Sequence, residues 1–364
     1  MKKLFYVLSL LLVLCACSKE DKNDEPTPPP PSTFNGTTIN LTSAGSLYTS
    51  LTSTQLDTIT RLKITGTIDA RDFRIMRDSM PVLAVLDLSG VTIAAYTGAE
   101  GTYEFSTIYA VNTIPIYAFK QCISLTSITI PSSVTSIDGG AFHSCTGLTA
   151  ITIPASVTFI GGSAFYGCTG LTSVTIPTSV TSIGINVFYG CSGLSSVTIP
   201  TSVTSIGNNA FYACTGLSSL IIPNSVTSIG NSAFYQCGSI TSITISTSLT
   251  SIGNSAFYGC AGLSSVTIPS SVTFIGSYAF SGCIGITSVT IPASVTTISD
   301  WAFSGCTYLT SITVNNPTPV NLSSATNVFN NVNKTTCTLY VPTASVSLYQ
   351  VALVWSGFIN IVGM

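Results

Sequence analysis

Charge is what this chain has least of. Of its 364 residues only 7% are Asp, Glu, Lys or Arg, against roughly a quarter in an ordinary soluble domain. From Gln121 to Asn333 the charged side chains are Asp138 and Asp300 alone, and His143 is the one histidine of the chain. A surface this poor in cations cannot neutralise a phosphate backbone, which excludes nucleic acid as a partner. Paired carboxylates, a Ser/His/Asp set, a Gly-rich phosphate loop and metal-type spacing of His and Cys are also missing, so the sequence offers no catalytic centre, no cofactor site and no metal site. Seven carboxylates lie between Asp57 and Glu104, without a histidine or a catalytic motif beside them. No apolar run is long enough to cross a bilayer, which takes about 20 residues. Disorder is excluded too, because 45% of the residues are hydrophobic and can build a core.

What the chain has is a period. Cys122, Cys145, Cys168, Cys191, Cys214, Cys237, Cys260, Cys283 and Cys306 are spaced by 23 residues, and a phenylalanine precedes each by three, from Phe119 to Phe303. A fixed period of this size marks a solenoid, with one coil per repeat. Within a coil, Val174-Thr175-Ile176 alternates inward and outward as a strand does, and Pro177 ends it by lacking an amide donor. Val180 and Ile183 return to the interior. Gly184 is expected to turn the next corner through its freedom of backbone angle. Asn186, Asn209, Ser232 and Ser255 stand where the N-cap of a short helical turn would be. Coils paired by parallel strands rise about 4.8 Å, so like residues stack on like, in ladders of Phe, Cys and Leu. The cysteine column has an odd count and a spacing wider than the ~3.8 Å between Cβ atoms that a disulfide requires; a ladder of free buried thiols is expected.

The repeat Phe-x-x-Cys-x-x-Leu-x-x-Ile/Val-x-Ile-Pro-x-x-Val-x-x-Ile-Gly resembles the BspA-like branch of the leucine-rich repeats. The resemblance implies a right-handed β/α solenoid, mostly strand and irregular chain with short helical turns. It also implies a cell-surface protein that binds other macromolecules, such as extracellular-matrix proteins or partners on other microbes, without chemistry. Leu62-Lys63-Ile64 and Leu86-Asp87-Leu88 look like earlier strands, Leu339-Tyr340-Val341 like a looser last one, and Val346 to Trp355 like a closing helix.

The start of the chain resembles a bacterial lipoprotein. Lys2 and Lys3 precede an apolar run that ends in Leu14-Cys15-Ala16-Cys17, similar to the lipobox whose last cysteine carries the lipid. Ser18-Lys19-Glu20-Asp21 is similar to the surface-export signal of some Gram-negative anaerobes. The implied location is the outer membrane, exposed at the cell surface and held to the membrane by the N-terminal lipid. Removal of residues 1–16 leaves nine bases against thirteen acids, a net charge of −4. The domain reading is a signal peptide at 1–16, a lipid anchor and proline-rich tether at 17–33, an N-terminal cap at 34–113 with an inserted loop at 91–112, repeats at 114–314, and an irregular last repeat and cap at 315–364.

Three surfaces are candidates for ligand. Tyr166, Tyr189, Tyr212, Tyr235 and Tyr258 form one outward column, with His143 in the same column. Thr152, Thr175 and Thr198 belong to the outward column of the main strands, broken by Ile221 and flanked by serines. The insertion carries Tyr96, Tyr103, Phe105 and Tyr109, and insertions between repeats often lie on the binding face. Each has a plainer reading: edge packing for the tyrosines, a solvated strand for the threonines, a shield over the first coil for the loop. Asp69 to Met80 reads as a helix whose Phe73, Met76 and Met80 face the core while Arg71, Arg74 and Arg77 face water. Asp57-Thr58-Ile59 and Asp78-Ser79-Met80 resemble an O-glycosylation sequon of Gram-negative anaerobes. The readings of function are a surface adhesin for proteins, a glycan-binding accessory lipoprotein, or a passive spacer.

Overall fold

The computed structural model describes residues 34–364. The residues read as signal peptide (1–16) and as lipid anchor and tether (17–33, with Cys17) lie outside them. Among the described residues no helix is long and apolar enough to cross a membrane.

The repeat stacks as its period requires. The central strands pair in parallel, each residue against the one a repeat later: Ser173 faces Ser196, Val174 faces Val197 and Thr175 faces Thr198. Three-residue strands suffice because every coil adds the same one, and the ladder then satisfies their amides from both sides. The return side carries a second, shorter ladder, such as Ser205–Ile206 against Ser228–Ile229. Between the two ladders lies the core. Phe142, Phe165, Phe188, Phe211, Phe234, Phe257, Phe280 and Phe303 are fully buried, with successive ring centroids 5.3–5.4 Å apart and planes within 15° of parallel. Val180 and Ile183 point inward as expected.

The strand ladder is interrupted twice, between Ser196–Thr198 and Ser219–Ile221 and between Ser242–Thr244 and Ser265–Thr267. The flanking bonds from Ser218 N to Ser195 O (3.3 Å) and from Ser264 N to Thr241 O (3.4 Å) are stretched there. Val197 and Ile243, whose counterparts are buried, become half-exposed.

The cysteines from Cys122 to Cys337 are free thiols. From Cys145 to Cys306 each Sγ–H donates to the phenylalanine carbonyl of the coil before it, as in Cys145 to Phe119 at 2.9 Å and Cys214 to Phe188 at 3.1 Å. The column is thus a ladder of thiol-to-backbone bonds, each tying one coil to the last.

The corner of the coil departs from the expected one. Ser163, Asn186, Asn209, Ser232 and Ser255 do not cap helices; they sit in the left-handed region with φ of 54–59°, inside a run of turns. Four residues further on, Gly167, Gly190, Ala213, Gln236 and Gly259 are left-handed again, with φ of 54–69°, as Ser144 is four residues after left-handed Gly140. The backbone turns there by two left-handed residues, and each amide donates forward to a carbonyl of the next coil, as Asn186 N does to Asn208 O at 3.0 Å. The glycine before the corner serves a different purpose from the expected one. A Cβ at Gly207 would stand 2.8 Å from the carbonyl carbon of Gly184, and one at Gly230 would stand 2.5 Å from Asn208 N. Gly207 and Gly230 are required by the closeness of the neighbouring backbone, whereas Gly184 has neither a left-handed angle nor a contact closer than 3.5 Å; the unusual angles fall further along, on Asn, Ser and Gly and also on Ala213, Gln236, Tyr278 and Trp301.

Both ends of the phenylalanine column are closed by rings turned across it. At the N-terminal end a strand not foreseen, β1 (Thr37–Leu41), pairs with β2 (Arg61–Ile68), which pairs with β3 (Val85–Ile93). A short helix α1 (Ser53–Thr58) precedes β2. Helix α2 (Ala70–Asp78) starts at a capping box of Asp69 and Asp72 and sets Phe73 edge-on to Phe119, with an interplanar angle of 77°. Asp72 is fully buried and accepts from the amides of Gly45, Leu47 and Asp69, so it pins the incoming chain to the helix. At the far end the closing helix is shorter than expected, α3 (Val346–Val351). Past it Trp355 and Phe358 cover Phe329, and Asn360–Gly363 adds a last strand. Trp355 Nε1 donates to Val320 O and the Tyr349 hydroxyl to Asn316 O, both at 2.9 Å.

Candidate functional site

The tyrosine column forms one continuous stack. Centroids of Tyr166, Tyr189, Tyr212, Tyr235 and Tyr258 succeed one another at 4.5–4.6 Å with planes within 4° of parallel, and His143 caps the row at 4.6 Å from Tyr166. All are half-buried. Each inner ring has both faces covered by its neighbours, so the row shows edges and hydroxyls to solvent. Burial raises the Tyr166 and Tyr212 phenols above the ordinary tyrosine value, with a smaller push from the neighbouring tyrosines. The same burial depresses the His143 imidazole, helped by Lys120.

The insertion begins later than the expected Val91, because Val91–Ile93 stay in β3, paired with Gly66–Ile68 of β2; from residue 94 on it is an ordered hairpin. Its strands β4 (Tyr96–Thr97) and β5 (Ile108–Tyr109) pair antiparallel. Tyr109 is buried; its hydroxyl receives the amide of Tyr103 at 3.1 Å and lies 2.9 Å from Tyr103 O and 3.0 Å from Ser106 O, which makes it the pin of the hairpin rather than part of its exposed surface. Two of the arginines expected to face water hold this loop instead. The Arg71 guanidinium pairs with Asp69, donates to Ala44 O and lies 4.7 Å from the centre of the Tyr96 ring. Arg77 pairs with Asp78 through two nitrogens, while Nη1 donates to Thr102 O at 2.5 Å and to Tyr117 O at 3.0 Å. All three arginines are half-buried.

So held, the loop exposes Phe105 to 78%, Ile108 to 76% and Val111 to 54%. Phe105 packs edge-on against Tyr103, and Tyr103 edge-on against Tyr117 at 5.1 Å. Tyr117 opens the column of left-handed residues that continues through Gly140 and Asn186, beside the tyrosine column. Loop aromatics and tyrosine stack therefore share one edge of the solenoid. Thr152, Thr175 and Thr198 do not join them. They stand exposed on the strand ladder, where Ser127, Thr129, Ala150, Thr152 and Pro154 line a shallow, charge-free depression. Thr58 is exposed on α1, with its hydroxyl donating to Thr54 O.

Three aromatic residues of this edge escaped the sequence reading: Tyr117, Tyr278 and Trp301. They fall in the 23-residue column of Ser232 and Ser255, and that register was the signal that could have found them. Among the described residues no group of His, Cys, Asp and Glu is arranged to hold a metal ion.

A profile of the BspA type leucine rich repeat region matches residues 112–241 and 227–349, in six copies. The chain belongs to the BspA-type leucine-rich-repeat family. This is a class of solenoid that typically serves as a non-enzymatic binding scaffold. Similar solved structures include a leucine rich cell surface protein from Faecalibacterium prausnitzii, at 28% identity over 70% of this chain and 79% of that one, with a TM-score of 0.35. A leucine-rich repeat protein from Bacteroides ovatus matches at 23% identity over 66% and 81%, with a TM-score of 0.36. The leucine rich repeat protein of T. pallidum matches at 27% identity over 48% and 72%, with a TM-score of 0.38. No curated protein sequence matches the chain.

Proposed function

We propose that this BspA-type protein is a lipid-anchored adhesin, held at the outer surface of the cell through Cys17 and binding a protein partner such as an extracellular-matrix protein. The observation that supports this most is the hairpin that follows β3, at 94–112. Exposed apolar side chains grouped at one place are a mark of an interaction site, and here Phe105, Ile108 and Val111 stand out from a hairpin clamped by Arg71, Arg77 and Tyr109. A rigid apolar tip loses little entropy on docking, which is the property of an interface anchor. The threonine and serine face of the strand ladder, Thr152, Thr175 and Thr198 among them, adds neutral hydrogen-bonding surface for an extended partner.

The test is surface plasmon resonance of residues 34–364 over a panel of immobilised extracellular-matrix proteins. The reading expects saturable binding to at least one of them, weakened about tenfold or more by Phe105→Ala, in the range of a strong anchor residue. Full-strength binding by a chain lacking residues 94–112, or no binding to any of the panel, would refute it. A second reading, capture of polysaccharide, draws support from the row of tyrosine hydroxyls from Tyr166 to Tyr258, which could donate to sugar oxygens though its ring faces are covered.

A further inference from the structure

Coil no longer stacks on coil at one seam, between helix α2 and the first repeat. In the coils that follow, the thiol donates to a phenylalanine carbonyl of the coil before it, beginning with Cys145 to Phe119. Cys122 has no such coil beneath it. Helix α2 takes that place, with Phe73 edge-on to Phe119, and the carbonyls of a helix are spent on its own amides. Cys122 is accordingly the one repeat cysteine that is not buried. Among the described residues its thiol finds no hydrogen-bond partner.

The mismatch between helix and coil leaves a cavity of about 250 Å³. Met76, Met80, Leu83, Phe119 and Leu125 line its depth and are only 1–4% exposed. Pro81, Gln121 and Ile123 are exposed and stand at its mouth, and the half-buried Cys122 belongs to the wall. The lining decides what fits. Its polar groups are largely committed: Arg77 to Asp78, Thr102 O and Tyr117 O, and the Ser124 hydroxyl to Pro81 O at 2.7 Å. An ionic guest would lose its water and gain few hydrogen bonds in return, so the cavity selects a neutral, mainly apolar molecule. An apolar cavity of about 150 Å³ holds benzene; this one has room for a somewhat larger ring system. Three sulfur-bearing side chains, Met76, Met80 and Cys122, contribute to the wall. Sulfur packs favourably against aromatic rings, and flexible methionines adapt to a guest's outline. The charge of Arg77 also favours an aromatic guest over an aliphatic one.

We propose that the cavity between α2 and the first repeat is a binding site for one small neutral aromatic molecule, of the size and chemistry of indole. The site needs neither Phe105 nor the strand ladder, so it and the protein-binding reading above stand or fall separately.

The test is calorimetric titration of residues 34–364 with indole, together with the rate at which iodoacetamide alkylates Cys122 in the native protein. The expected result is one saturable site with a Kd of about 1 mM or tighter. Indole at about four times Kd should slow the alkylation of Cys122 about fivefold, because the guest covers the thiol. Ile123→Asp sets a charge at the mouth and should weaken binding about tenfold. Ile221→Asp, on the strand ladder, should leave it within about twofold. Ile123 and Ile221 are 64% and 69% exposed, so both variants are expected to fold, which matching thermal melts verify. No saturable heat, binding that leaves the Cys122 rate unchanged, undiminished binding in Ile123→Asp, or equal affinity for cyclohexanol would each overturn the proposal.

Discussion

At the scale of the residue, the cysteine shows most clearly what the repeat selects. It is small enough to stack at every coil, apolar enough to be buried, and its Sγ–H reaches back to the phenylalanine carbonyl of the coil below. That carbonyl already receives a backbone amide, as Phe188 O does from Cys191 N. Losing the thiol therefore strands no acceptor and mainly leaves a void. Cys214→Ala should cost about 1–2 kcal/mol, near the lower end of the range for large-to-small core changes, read as a shift in the urea midpoint at unchanged slope. A loss above about 4 kcal/mol would mean the thiol bond carries the coil. The column of free thiols was legible in the sequence because its count is odd and its period is regular. The bond each thiol makes was not legible, since it depends on the vertical offset between coils.

At the scale of the element, the coil corner is where the sequence reading went astray. Asn and Ser before Ala-Phe look like helix caps, because those residues do favour N-caps. Asn also tolerates left-handed backbone, but Ser232 and Ser255, and Tyr278 and Trp301 in the same column, take it without that preference, so stacking decided between the two. Each left-handed residue turns its amide toward the next coil, where a carbonyl waits; a helical turn would have pointed it along its own axis. In the same way the spacing suggests a glycine chosen for its angles beside the corner, whereas Gly207 and Gly230 are there for lack of a side chain. The arginines of α2 were placed on the solvent face by helical spacing alone, and tertiary contacts with the hairpin overrode that. One coil permits a direct check. Ser246 occupies the position of Pro223 and Pro269, and its hydroxyl donates to Val226 O. In five other coils that carbonyl is taken by the serine two residues after the proline, as Ser271 does with Leu249 O. Ser246→Pro should let Ser248 take over the bond and raise stability by about 0.4–1 kcal/mol through a stiffer unfolded chain. A loss of more than about 1 kcal/mol in chemical denaturation would show that Ser248 cannot make the exchange.

At the scale of the whole molecule, repetition turns small local effects into large ones. Burial pushes every thiol of the column with a resolved shift upward: to about 12 in Cys168 and Cys306, and well above the ordinary value in Cys191, Cys214 and Cys283. Unfolding returns these groups to an ordinary value near 9. Above that pH the unfolded chain loses thiol protons that the folded chain keeps, so stability is fully present below about pH 9 and falls as pH rises beyond it. Each thiol contributes up to ~1.36 kcal/mol per pH unit. Urea midpoints should be level from about pH 6 to 8 and drop steeply from about pH 9. A level response at alkaline pH would deny the common burial of the column. The solenoid and its family were legible at this scale because period survives substitution. The candidate binding edge was half legible: the tyrosine column follows from the period, but its junction with the loop through Tyr103 and Tyr117, and the placing of Tyr278 against Tyr258, depend on contacts between residues far apart in sequence.

The claim on which the rest stands is the vertical register of equivalent side chains from coil to coil. Mass-spectrometric alkylation of residues 34–364 without reductant, once in the native state and once in denaturant, tests it most directly. The account predicts that Cys145 through Cys306 stay unmodified while folded, that half-buried Cys122 is labelled before them, and that every cysteine is labelled as a single free thiol once unfolded. Repeat cysteines that react at differing rates in the folded protein, or that resist labelling as linked pairs after unfolding, would contradict it.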